Sequence, residues 1–457
     1  MSKSPDSISL RVEEPRPADG ELRSSRAILY CRYRSPLPEP DATVHVSVDG
    51  ERIAAVCEQS AMDVPSRDGR FIHHFVVHLR AFLDRFDGGK HEVLLEVSRA
   101  GQTETRRFSP TWIRDTFLSV ASIDTTNSCN LRCRFCNEDQ NWKLVVMDRA
   151  EFDRLGQELF PEVGDTILLS CGDEPFMNKR FHDYCASVPE DAMRRAFFTS
   201  NMTIPLTDDQ LETIARCRLS SINVSLDSSD PEIFESMRVN GKFEIFVDNL
   251  TRLSAVLKRE GNEILRFIAV ITRENFRSLP DTVDWAMRFD PMAFEFRTLS
   301  FSQHWAESGW RIAEGTMDPE ELDWLRLRVD ESCRAAGKPY LFEPESMGTP
   351  EGYRDPDAFP TKLPLKAPIL PVRDPGERRA RFEKEDEERR QGIARLGVEE
   401  ADVLLETNWV RVIATGRVVF NNRFPVGYVG DHEHLGESAY AHACAIGRRI
   451  RELRRED

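Results

Sequence analysis

From Leu118 onward, short apolar runs of β-forming residues alternate with amphipathic helical stretches. That alternation restricts the fold more than any other feature of the chain. The runs are FLSVASID, TILLSC, RAFFTSN, SSINVSLD, LRFIAVIT and MAFEFRTLS. Between them lie DRAEFDRLGQELF, TDDQLETIARC, DPEIFESM with FEIFVDNLTRLSAVLKREG, and LPDTVDWAMRF. Consecutive βα units of this kind form a parallel sheet wrapped by helices. Six units are fewer than the eight that close a barrel, so the expected class is α/β with an open, partial (β/α)6 barrel. Thr207, and Asp230 followed by Pro231, read as helix starts. In such a sheet, function belongs at the C-terminal ends of the strands.

The 457 residues exceed one ordinary core, and the remaining segments have characters of their own. Residues 1–112 alternate apolar and polar positions in RAILYCRYR, TVHVSVDGERIAAV, RFIHHFVVHLR and GKHEVLLEVSRAGQ, which predicts an all-β sandwich. His73, His74 and His78 fall there, but strand alternation stops them converging on one site. The barrel is expected over 113–335, ending with the helix PEELDWLRLRVDESCRAAG, and a proline-dense and charged linker over 336–400. Residues 401–457 read as a hairpin, NWVRVIATGRVVFNN, and an amphipathic helix, SAYAHACAIGRRIREL.

Net charge of −16 argues against general affinity for nucleic acid or anionic membranes, and no apolar run is long enough to span a bilayer. The polar opening MSKSPDSISLRVEEP has no secretory h-region, so a cytoplasmic location is expected. There thiols stay reduced and clustered cysteines more often bind metal. Three of the ten cysteines, Cys129, Cys133 and Cys136, stand together as C-x3-C-x2-C directly after the first strand. A structural zinc site wants four ligands, a disulfide uses two thiols, and a [4Fe–4S] cluster normally takes four thiolates. Held by three, such a cluster keeps one iron open to a substrate or cofactor.

This run, with Phe135 before its third cysteine, resembles the radical S-adenosylmethionine (SAM) enzymes, and further motifs follow in order. SCGDEPFMN is similar to the family's GGEP motif: Gly172, Glu174 and Pro175 match, and Asp173 replaces a glycine. TSNMT, with Thr199 and Asn201, is similar to the TNG segment without a clear glycine. SLDSSDPEIFESMR is similar to SLDG…R. The resemblance covers roughly Leu118 to Ser300. It implies one [4Fe–4S] cluster on Cys129, Cys133 and Cys136, with SAM on its open iron. It implies SAM contacts at Phe135, Gly172, Asp173, Glu174, Thr199 and Asn201. Ser225 and Asp227 are candidates for the SAM ribose or carboxylate, Arg238 for carboxylate pairing, and Val270 with Ile271 for the adenine border.

The tail resembles the SPASM extension of the same superfamily through Trp409, Gly416 and Val418. Leu405 and Phe420 or Asn421 stand where cluster cysteines are expected, and only Cys444 lies beyond the linker. A small SPASM-like cap without auxiliary clusters is therefore expected. In the family an electron reduces the cluster, SAM is cleaved, and the 5′-deoxyadenosyl radical takes hydrogen from substrate. Lacking an auxiliary electron acceptor, redox-neutral outcomes such as epimerisation or rearrangement are favoured over dehydrogenation. Cys171, beside the SAM motif, is a candidate hydrogen donor; Glu295 and Arg297, on one face of the sixth strand, are candidates to bind or polarise substrate. Cys185, Cys217 and Cys333 are expected as core residues. The implied partners are a small-molecule, peptide or glycan substrate and an electron donor such as flavodoxin or ferredoxin. A non-catalytic iron–sulfur or SAM-binding scaffold or sensor, and a zinc-binding interaction module, are the competing classes.

Overall fold

In a computed structural model of the chain, the described residues are 9–14, 20–35, 42–59, 64–65, 71–99, 101–133, 135–136, 144–170, 172–297, 319–342, 375–398, 401, 409–412, 414, 417–420, 424–428 and 435–455. The N-terminal segment builds two antiparallel sheets. One orders Ser9–Glu14, Ile28–Ser35, Phe71–His78 and Val56–Gln59, with Val64–Pro65 beside the third; the other orders Gln102–Phe108, Val93–Arg99, Thr43–Val48 and Glu51–Ala54. Alternation decides which residues face in: Leu29, Cys31 and Tyr33 from one sheet and Val93, Leu95 and Val97 from the other are buried in a common core. His73 is buried and stacks on Tyr33, while His74 turns to the other face beside Glu13.

The parallel strands are β1 (Leu118–Ile123), β2 (Val163–Leu169), β3 (Ala196–Ser200), β4 (Ser221–Ser225), β5 (Leu265–Val270) and β6 (Ala293–Arg297). They lie side by side in chain order, as the six apolar runs require. Two further parallel strands flank them: β7 (Tyr340–Phe342) beside β6 and β8 (Trp409–Val412) beside β1. β9 (Arg417–Phe420) and β10 (Phe424–Tyr428) continue antiparallel from β8, giving a ten-stranded sheet. Six parallel strands thus become eight. β7 is too short to show a period, and β8 reads from sequence only as half of a hairpin. The C-terminal strands join the barrel sheet itself.

Helices cover one side: α1 (Arg149–Glu158), α2 (Phe181–Ser187), α3 (Asp208–Arg216), α4 (Pro231–Met237), α5 (Phe243–Glu260) and α6 (Leu279–Ala286). Their starts follow the chemistry of the termini. Thr207 and Gln210 form a reciprocal capping box, and Asp230 accepts N–H groups of Glu232 and Ile233 ahead of Pro231. Gly261 closes α5 at φ +62°, where a side chain is strained. Against this side pack Phe198 with Phe176 and Phe181, their ring centroids 6.0 and 5.0 Å from Phe198. Phe267, Phe294 and Phe296 line a small cavity under α6. Alternation and register then put Thr199, Asn223, Ser225, Arg266, Glu295 and Arg297 on the face away from the helices.

α7 (Pro319–Ala336) matches the expected helix, and α8 (Pro375–Ala394) follows the proline-dense segment, most of which lies outside the described residues. Leu405, Gly416 and Asn421 also lie outside them. α9 (Leu435–Arg454) crosses from the barrel to the sandwich. Its buried Arg451 places Nε 2.9 Å from Glu51 and Nη2 2.8 Å from Asp84. Tyr440 stacks edge-on with Phe117, and its hydroxyl donates to the Leu83 carbonyl.

Candidate active site

The three-cysteine loop leaves the C-terminal end of β1 and is tied to every neighbouring strand end. Asp124, the last residue before it, is buried and receives Arg411 Nε of β8 at 2.6 Å. Thr125 donates its backbone N–H to Ser170 Oγ, after β2, at 3.0 Å. The Ser128 carbonyl accepts the Glu174 N–H at 3.1 Å. Farther along, Arg132 and Cys133 pair antiparallel with Val239 and Arg238.

Glu174 joins two strand ends. Its buried carboxylate accepts Ser200 Oγ at 2.8 Å, Phe176 N at 3.3 Å and the Asn201 N–H at 2.8 Å. Burial outweighs these bonds and lifts its pKa to about 7. Asn201 reaches onward: its Nδ2 donates to Asn130 Oδ1 at 3.0 Å and approaches Cys129 Sγ at 3.6 Å. Its Oδ1 accepts from the backbone and hydroxyl of Thr203. Thr199 donates its N–H to the Ser170 carbonyl. Gly172 and Asp173 are half-buried beside Glu174, whereas Cys171 lies outside the described residues.

A second network crosses from β4. Asp227 is fully buried; Oδ1 accepts the Val270 N–H at 2.9 Å, and Oδ2 lies 2.7 Å from Arg238 Nε. Arg238 therefore pairs with a carboxylate of the chain itself. Burial pushes the Asp227 carboxyl above its ordinary range against the pull of Arg238. The same guanidinium lies 5.5 Å over the Phe135 ring and 3.8 Å from Cys133 Sγ. Asn275 closes the network, donating to the carbonyls of Asp227 and Val270. Ser225 is half-buried at the end of β4, beside Ile268, and Ile271 is buried one residue past β5.

These contacts bear on what the cysteines can hold. Leu131 N–H and Asn201 Nδ2 approach Cys129, and a guanidinium approaches Cys133. Donors and positive charge stabilise sulfur in its anionic, metal-binding form. Burial otherwise holds these thiols high, Cys129 to about 12 and Cys133 to about 11, so a metal that binds them displaces protons. The residues fit an iron–sulfur cluster. Among the described residues, no three His, Cys, Asp or Glu side chains converge to hold a single metal ion.

Glu295 and Arg297 lie two strands from Asp227. Glu295 is buried and ion-paired with both Arg297 and Arg266 of β5. Cys185, Cys217, Cys333 and Cys444 are each buried in the core. Asn130, Ser200, Asn275, Arg266 and Arg411 were not legible as site residues. Each acts through a partner distant in sequence, and only the run of polar residues at strand ends hinted at them.

Residues 123–286 match the model of the radical SAM superfamily. A probable GTP 3′,8-cyclase of Archaeoglobus fulgidus is 26% identical over 177 residues, covering 35% of this chain and 58% of that protein. A GTP 3′,8-cyclase of Synechocystis is 23% identical over 174 residues, covering 37% of this chain and 50% of the relative. The chain thus spans about half the length of these curated relatives. Streptococcus suis SuiB, solved with its precursor peptide SuiA, aligns with a TM-score of 0.47 at 13% identity, over 71% of this chain and 65% of that one. The likeness to the radical SAM superfamily thus rests on the segment 123–286, which holds the three-cysteine loop and strands β2 to β5.

Proposed function

We propose that the chain is a radical SAM enzyme acting on an unidentified sugar, peptide or small metabolite. Superfamily members use a [4Fe–4S] cluster and S-adenosylmethionine. Cys129, Cys133 and Cys136 would hold the cluster, and SAM would lie against Gly172, Asp173, Thr199, Ser225 and Val270. When bound, the pair supplies reductive cleavage of SAM to methionine and a 5′-deoxyadenosyl radical, using an electron from a flavodoxin or ferredoxin.

The chain's own residues fix the setting. Glu174 aligns the turn after β2 with the loop after β3, so that Asn201 meets Cys129. Asp227 holds Arg238 against Cys133 and Phe135 and fixes the Val270 backbone. Asp227 and Arg238 are thus positioning residues in this reading. A redox-neutral outcome is favoured, because beyond the barrel the sequence offers one cysteine, Cys444, which is buried on α9.

The observation that carries the reading is that the cysteine loop is bonded to the residues that follow β2 and β3 and to Arg238, just past α4. The test is anaerobic reconstitution with iron and sulfide, then SAM and dithionite. The expected result is about four irons per chain and 5′-deoxyadenosine, both lost in Cys133→Ala. Iron and sulfide without 5′-deoxyadenosine would leave a scaffold or sensor. Zinc without sulfide would leave an interaction module.

A further inference from the structure

Arg266, Glu295 and Arg297 gather two guanidinium groups about one buried carboxylate on the face away from the helices. The group keeps one net positive charge, in a chain whose formal net charge is −16. Its position bears on function. Arg297 ends β6 and registers beside Val270, whose N–H is held by Asp227, the partner of Arg238 at Cys133. Arg297 meets Glu295 through Nε, and its side chain is 47% exposed. The guanidinium's outer edge is therefore turned from its partner, in the geometry that receives an oxyanion by two parallel hydrogen bonds. Arg266 Nε is buried without a hydrogen-bond partner among the described residues. Ser225 and Asn223 extend this polar face on β4.

A structural ion pair alone needs one cation for Glu295. The second leaves a charge that favours an anionic guest at the C-terminal mouth of the sheet. We infer that Arg297, oriented by Glu295 and backed by Arg266, binds a carboxylate or phosphate group of the substrate. This rests on the radical SAM reading for the word substrate, but the anion site is testable apart from it.

The probes are inorganic phosphate and acetate, titrated calorimetrically into the reconstituted full chain with SAM present, so that the cofactor's own contacts are filled. Saturable binding of one probe is expected, and the one that binds tells phosphate from carboxylate. Arg297→Met should weaken it at least tenfold, and Arg297→Lys less. Arg288→Met, on the helix side against Trp285, should leave it unchanged. Glu295→Gln keeps both guanidinium groups, removes the opposing charge and should tighten binding severalfold. That variant keeps the test open if Arg297→Met fails to fold. No saturable binding of either probe, equal binding by Arg297→Met, or no tightening in Glu295→Gln would overturn the site. The parent reading is judged separately: 5′-deoxyadenosine without anion binding removes only the subsite, and anion binding without 5′-deoxyadenosine removes only the radical chemistry.

Discussion

At the scale of single residues, Glu174 concentrates the chemistry of the site. Its two oxygens receive a hydroxyl and two backbone N–H groups, so it serves as a local anchor whatever else it meets. Glu174→Gln keeps the shape but turns one oxygen into an N–H donor. Either Asn201 N–H or Ser200 then faces a donor in a buried setting. A buried polar group left unsatisfied costs about 1–3 kcal/mol. The variant is expected to melt lower by that amount in denaturant titration, with the cluster loop less protected in hydrogen exchange. Equal stability would mean that the anchor carries no energy. The sequence named Glu174 through its neighbours in the motif, but it could not show where the carboxylate points. Two of its three partners are 26 and 27 positions away, on another strand end. Arg238 was a candidate for carboxylate pairing through the same motif order, and the carboxylate that lies beside it is that of Asp227.

At the scale of elements, the loop after β3 shows how a departure from the family pattern is tolerated. Met202 stands where the resemblance expects glycine, and it takes φ +55°, a region that costs a non-glycine residue of order 1 kcal/mol or more. The compensation comes from α5. Buried Asn249 donates to the carbonyls of Met202 and Ile204 and accepts the Leu206 N–H, fastening the loop at both ends. The Met202 side chain is itself buried, adding apolar contact that glycine would lack. Asn249→Ala removes these three bonds, and a fourth that its Oδ1 accepts from Arg252, and leaves three backbone groups without partners. The expected loss is about 3 kcal/mol, since such costs do not add fully. Iron loading should fall as Asn201 moves from Cys129, and retention of both stability and iron would refute the clamp. Periodicity revealed α5 and β3 as elements, because their apolar faces repeat. It did not reveal Asn249, a polar residue on a helix that otherwise reads as amphipathic. The same limit hid β7 and the pairing of β8, where three or four residues form too short a pattern to fix a partner.

At the scale of the whole molecule, the C-terminal segment links what the sequence separates into domains. β8 lies beside β1 and gives Arg411 to Asp124 at the root of the cysteine loop. α9 then carries Arg451 to the sandwich, where it meets Asp84, Glu51 and the Ala81 carbonyl, with Phe82 beneath it. Gly447 lies so close to the Ala81 carbonyl that an added Cβ would stand 2.8 Å away, so the helix passes tightly against the sandwich. Two consequences follow. The sandwich is held to α9 by buried polar contacts in place of a flexible tether, and its fold is expected to be coupled to the loop that follows Asp124. Arg451→Met removes a buried cation from two carboxylates that keep partial access to solvent. Breaking a buried pair on one side costs about 3–5 kcal/mol, and solvent access to the remaining acids places this case at the lower end. The expected calorimetric trace of the variant splits into two transitions, one for the sandwich and one for the barrel, where the parent shows one. A single transition at the parent temperature would show that α9 docks through its apolar face alone. A single transition at lower temperature would show that sandwich and barrel share one cooperative unit without Arg451. The split trace, joined to a loss of iron on reconstitution, would place the coupling in the chain from Arg451 through β8 to Asp124.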